Sequence, residues 1–131
     1  MGTSTRVSID VLAETVMEGI ESYANLTTED VKKAVKKASK TVRNKIEEYA
    51  PSGKTGEYAK SWRVTTTDES SYAIVQTVHS PKLYMLAHLL EKGHAKRGGG
   101  RVQGIPHIKP AEQEGIQMYE AMIQNALRGK G

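Results

Sequence analysis

The chain has 131 residues, of which 37% are hydrophobic, with no Phe and a single Trp, so one domain with a thin core of Val, Ile, Leu, Met and Tyr is expected. Cysteine is absent, which excludes disulfides, thiolate metal sites and thiol catalysis, and no apolar run approaches the ~20 residues of a membrane-spanning helix. Nineteen basic against fifteen acidic residues leave a net charge of +4, which permits contact with phosphates without demanding it. The first ten residues, MGTSTRVSID, lack the apolar core of a signal peptide.

Asp10 is a candidate N-cap for a first helix carrying Leu12, Val16, Ile20 and Tyr23 at spacings of four and three. Thr27 and Asp30 form a capping-box pattern at the next start. Val31, Ala34, Val35, Ala38, Val42, Ile46 and Tyr49 then mark one face of a helix that Pro51 ends, and Lys32, Lys33, Lys36, Lys37 and Lys40 form its solvated face. Pro51 to Gly56 is turn chemistry. Alternation predicts a strand from Tyr58 to Thr67, a polar turn over Asp68–Ser71, and a second strand from Tyr72 to Val78, together an antiparallel hairpin. Ser80-Pro81 opens a short helix with Leu83, Leu86, Leu89 and Leu90 as its apolar face and Gly93 as a left-handed C-terminal cap. A basic glycine-rich loop covers His94 to Gly104. Pro110 starts a last helix with Ile116, Tyr119, Met122, Ile123 and Ala126, before a Gly129–Gly131 tail. The whole, 1–131, reads as a single domain with flexible ends at 1–9 and 128–131.

Candidate chemistry is sparse. Gly53-Lys54-Thr55 resembles the end of a phosphate-binding loop, but position 48 is Glu and the helix precedes the segment instead of following it. His88 and Glu91 share a helical face, and His94 and His107 could join them around zinc; four ligands would then have to converge from separate segments, so loop hydrogen bonds are the preferred reading of these histidines. Ser61, Ser80, His79 and Asp68 sit in no recognisable nucleophile context. The chain therefore reads as non-enzymatic, without cofactor or metal. Lys96, Arg97 and Arg101 around Gly98, Gly99 and Gly100 can follow phosphates, yet no aromatic residue between Gly93 and Pro106 offers base stacking. Docking on an acidic protein surface, with the flexible loop becoming ordered as it docks, is the preferred reading of this segment, ahead of non-specific DNA binding.

Three motifs, Pro51-x-x-x-Thr55-Gly56-x-Tyr58-x-x-Ser61-Trp62, Leu89-Leu90-Glu91-x-Gly93-His94 and Pro106-His107-Ile108-x-Pro110-Ala111, together resemble the small tail-component family of long-tailed bacteriophages, tail-completion or head–tail joining proteins, over roughly residues 8 to 127. The resemblance implies an α+β subunit: a small antiparallel β-sheet packed by N-terminal helices and a C-terminal helix, with a long glycine-rich basic loop. It implies a homo-oligomeric ring around the DNA channel, six copies matching a tail tube and twelve a portal-proximal neck ring. The ring contacts are heterologous, and the first helices and sheet edge are expected to form them. Tail tube protein and neck or head-closure proteins are the implied partners. The virion's head–tail interface is the implied location, with the host cytoplasm during assembly. The docking loop would comprise His94, Lys96, Arg97, Gly98, Gly99, Gly100, Arg101, Pro106 and His107. Lys96, Arg97 and Arg101 would touch genomic DNA weakly if they face the lumen.

Overall fold

A computed structural model describes residues 5–10, 14–20, 27–51 and 56–129, the first two segments as backbone only. The fold is α+β, as the sequence predicts. Its longest element, α1 (Thr28–Tyr49), opens with the expected capping box: the Thr27 hydroxyl accepts from the Asp30 amide at 3.0 Å, and the Asp30 carboxylate accepts from the Thr27 amide at 3.3 Å. Such a cap stabilises a helix by about 1 kcal/mol. The predicted apolar face of α1 is buried from Val31 to Ile46, and Lys33, Lys36, Lys37 and Lys40 are exposed on the other.

The main sheet has four antiparallel strands in the order β1-β2-β4-β3. Strands β3 (Arg63–Glu69) and β4 (Ala73–His79) form the expected hairpin, with a register irregularity between Thr66 and Asp68. The expected first helix is absent: β1 (Thr5–Asp10) pairs with β2 (Glu14–Ile20), which adds to β4. A spacing of four fits either a helical or a strand period, and the β-branched Val7, Ile9, Thr15 and Val16 favour the strand. Leu12 and Tyr23 lie outside the described residues. Of the expected flexible ends, residues 5–9 stand in β1 and residues 128 and 129 in α4; residues 1–4, 130 and 131 lie outside the description.

A second correction concerns Tyr58 to Lys60. They form a single-turn helix, α2 (Glu57–Lys60), entered from Gly56 at φ 71°, so that β3 begins only at Arg63. This turn buries Tyr58, Ala59 and Trp62 together, whereas a continuous strand would place alternate residues on opposite faces. Helix α3 (Tyr84–Lys92) starts later than predicted, since Ser80 and Pro81 belong to a preceding turn in which the Ser80 hydroxyl accepts from the Leu83 amide at 3.3 Å. Its buried residue is Ala87, Leu83 and Leu90 pack at the core margin, and Leu86, expected inside, is 42% exposed.

The last helix, α4 (Ile108–Gly129), packs along α1. Gly115 permits the approach: a Cβ there would stand 2.2 Å from Val42 Cγ2. Near the start of α4, Glu114 bonds the Tyr49 hydroxyl and lies 3.6 Å from Lys45 Nζ, so this end of α4 sits at the C-terminal end of α1.

Candidate functional site

The expected long loop at 94–104 is instead a small β-hairpin. Strand β5 (Gly93–Ala95) pairs with β6 (Arg101–Gln103), and residues 96–100 form the turn. Within it the Lys96 amide donates to the Gly100 carbonyl at 3.0 Å, and the Gly99 amide to the Lys96 carbonyl at 3.3 Å. Gly99 and Gly100 take φ of 106° and 80°, the positive values that glycine permits without strain. Cross-strand amide bonds bring order to a segment whose composition reads as loop.

The hairpin rises from a closely packed base. Gly93 has φ 83°, as a cap requires, but its ψ of 179° turns the chain straight into β5. A Cβ on Gly93 would stand 2.3 Å from the Val102 carbonyl oxygen, and one on Gly104 2.5 Å from the Glu91 carbonyl oxygen. The Ile105 amide donates to the Leu90 carbonyl at 2.7 Å, and Arg101 donates from Nη2 to the Lys92 carbonyl at 2.7 Å. Each bond satisfies a carbonyl that the end of α3 leaves without an intrahelical partner.

Beneath the base lies the joint between α3 and α4. The Glu91 carboxylate accepts from three successive amides: His107 at 2.7 Å, Ile108 at 2.8 Å and Lys109 at 3.1 Å. A carboxylate from a different helix thus caps α4, where both the free N–H groups and the helix dipole favour negative charge. His107 is fully buried. Its Nδ1 lies 2.7 Å from the Ile105 carbonyl and 3.0 Å from Glu91, and its Nε2 lies 2.7 Å from the Tyr58 hydroxyl. An imidazole carrying its proton on Nδ1 donates to Ile105 and accepts from Tyr58. Burial above all, with the Glu91 charge adding to it, lifts the Tyr58 hydroxyl well above the usual tyrosine range and keeps it a donor. The Tyr58 ring meets Trp62 and His107 edge-on, with centroids 6.1 and 5.5 Å apart.

The three sequence motifs therefore meet at one place. Tyr58 and Trp62 come from the first, Glu91 and Gly93 from the second, His107 and Ile108 from the third. The anticipated docking residues divide. Lys96, Arg97, Gly98, Gly99, Gly100, Arg101 and Pro106 are exposed, His94 is half-buried with Nδ1 unpaired, and His107 belongs to the buried joint. The zinc quartet does not assemble: Glu91 is occupied by amides, both His107 nitrogens are engaged, and His88 stands exposed on α3. No cluster of three or more His, Asp or Glu side chains is placed to hold a metal among the described residues. Gly53, Lys54 and Thr55 lie outside them. Sequence reasoning missed Glu91 as a cap, although its place in one motif and His107-Ile108 in another was the available signal.

A family model described as "Bacteriophage HK97-gp10, putative tail-component" matches residues 14–93. The chain belongs to this family. The match covers β2 through α3 and ends at Gly93, the first residue of the hairpin, so the third motif, at residues 106–111, lies beyond it. No curated protein and no solved structure matches the chain. Membership makes the chain a phage tail-related structural component, and no helix among the described residues is long and apolar enough to cross a membrane.

Proposed function

We propose that this tail-component protein completes the tail: it forms a ring at the head–tail interface and acts by docking, without catalysis or cofactor. The observation that carries this reading is the build of the hairpin. A basic tip projects from a joint in which the polar side chains of Tyr58, Glu91 and His107 are all engaged, so the tip's position is set before any partner arrives. Preorganisation of this kind lowers the ordering cost of association. Lys96 and Arg97 are exposed and available to carboxylates of a neighbouring subunit or ring, Arg97 with the paired geometry of a guanidinium. Tail tube and neck or head-closure proteins are the partners this station implies.

A phage whose copy lacks Gly98 to Gly100 tests the reading. The turn is shortened while Glu91, His107 and Tyr58 keep their places, so the expected result is a folded protein with filled heads and tails that remain unjoined. Normal virions from that phage would contradict the docking role. A second contact has its own support: Lys33, Lys36, Lys37 and Lys40 are exposed along α1, with no ion pair among the described residues. If this face lines the ring, it touches genomic DNA non-specifically. Binding of duplex DNA by the purified protein would then fall steeply with salt, and no binding even at low salt would remove that contact.

A further inference from the structure

The exposed apolar side chains are unevenly distributed. Among the described residues six large hydrophobic side chains are exposed, and five of them, Tyr84, Met85, Leu86, Val102 and Ile105, belong to α3, the hairpin and the short segment that follows it. Met85 is the most open, at 68%. The same stretch, residues 81–109, carries six cations, Lys82, Lys92, Lys96, Arg97, Arg101 and Lys109, all exposed, against one carboxylate. That carboxylate, Glu91, is spent on the amides of α4. The stretch thus combines exposed apolar side chains with exposed cations and holds no free acid. Two copies of it would repel each other, and a DNA backbone would leave its apolar groups without partners.

The sixth exposed hydrophobic is Tyr72, 63% open, in the turn between β3 and β4. It follows closely on Asp68, an exposed carboxylate, while the neighbouring Glu69 is paired with Lys32, so the turn offers one acid, Asp68, beside an apolar side chain. The two faces lie at opposite ends of the molecule. Lys32, at the start of α1, holds the turn through Glu69 at 2.9 Å and the Ser70 carbonyl at 2.5 Å. Lys45 and Tyr49, at the other end of the same 22-residue helix, meet Glu114 near the start of α4, where the joint and hairpin are built. At 1.5 Å per residue, α1 separates the two ends by about 30 Å. No chain can satisfy both faces by itself.

We infer that the α3–hairpin face of one copy docks on the Asp68–Tyr72 turn of the next copy, making the head-to-tail contact of the assembly. The inference rests on the ring reading and adds to it the surfaces that meet. A heterologous contact of this kind closes into a ring if its rotation allows, and otherwise propagates as a filament.

The chain's lack of cysteine makes the test direct. The full chain carrying both Tyr72→Cys and Met85→Cys is treated with a short bismaleimide, as concentrated purified protein and in phage particles, and the same samples are imaged by electron microscopy. The expected product is a ladder of dimers, trimers and higher species. Each single variant should stay near background, and Asp68→Lys added to the double variant should lower the ladder yield about tenfold. Dimers from Met85→Cys alone, or no ladder from the double variant, would overturn the inference. Protein that binds anionic lipid vesicles through Met85 without a ladder would overturn it too. Rings seen without a ladder leave the ring reading intact and remove this contact. Open filaments with a ladder keep the contact and remove the ring.

Discussion

The base and the tip of the same hairpin differ in every physical respect. At the base, backbone meets backbone so closely that neither Gly93 nor Gly104 can carry a side chain, and Glu91, His107 and Tyr58 satisfy one another or nearby amides. At the tip, no atom outside the immediate chain neighbours lies within 4 Å of the Cβ position of Gly98 or Gly99, and the side chains are exposed cations. A substitution at the base therefore acts on folding. One at the tip leaves the fold alone and, on the proposed docking role, acts on what the protein meets. The separation lets a small domain keep a stable frame beneath a surface left open, which the proposed docking role would use.

Substitutions graded from base to tip sharpen this contrast. Glu91→Ala removes three charge-assisted hydrogen bonds and uncaps α4, and should cost about 3 kcal/mol. Calorimetry should show a melting temperature lower by roughly 10 °C. Gly104→Ala forces a Cβ against the Glu91 carbonyl and should cost about 2 kcal/mol by overpacking, with faster amide exchange across β5 and β6. Tyr58→Phe leaves the buried His107 Nε2 without its donor, at about 1 kcal/mol in denaturant unfolding. Its pH dependence has a definite sign. Because burial raises the folded-state value of Tyr58, its contribution is complete below the ordinary tyrosine range and is lost as pH rises through the raised value. The wild-type chain should thus lose stability in strong alkali more steeply than the Phe variant. Gly98→Ala, with open space around the new methyl group, should change stability by less than about 0.5 kcal/mol.

The sequence was most readable where the determinants of structure are local. The Thr27 and Asp30 cap, the apolar stripe of α1 and the β3–β4 hairpin are fixed by residues within a few positions of one another. It was less readable where two periods fit the same residues, as with Val16 and Ile20, or where a single turn such as Glu57–Lys60 is too short to display one. The β5–β6 hairpin was hidden by its glycines, which signal a loop by composition even while cross-strand bonds order it. Of the site, the exposed basic tip was legible. The joint was not, because Glu91 caps a helix that starts 17 residues later, a tertiary bond with no characteristic spacing. The motifs marked the residues of the joint without showing that they touch.

The central claim is that the tip docks and the base folds. Charge reversal at the tip, Lys96→Glu with Arg97→Glu, tests it most directly when thermal stability and head–tail joining are measured on the same variant. The account predicts a melting temperature within about 2 °C of the wild-type value and filled heads left separate from completed tails. Joined, infectious particles from that variant, or a protein that no longer folds, would contradict it.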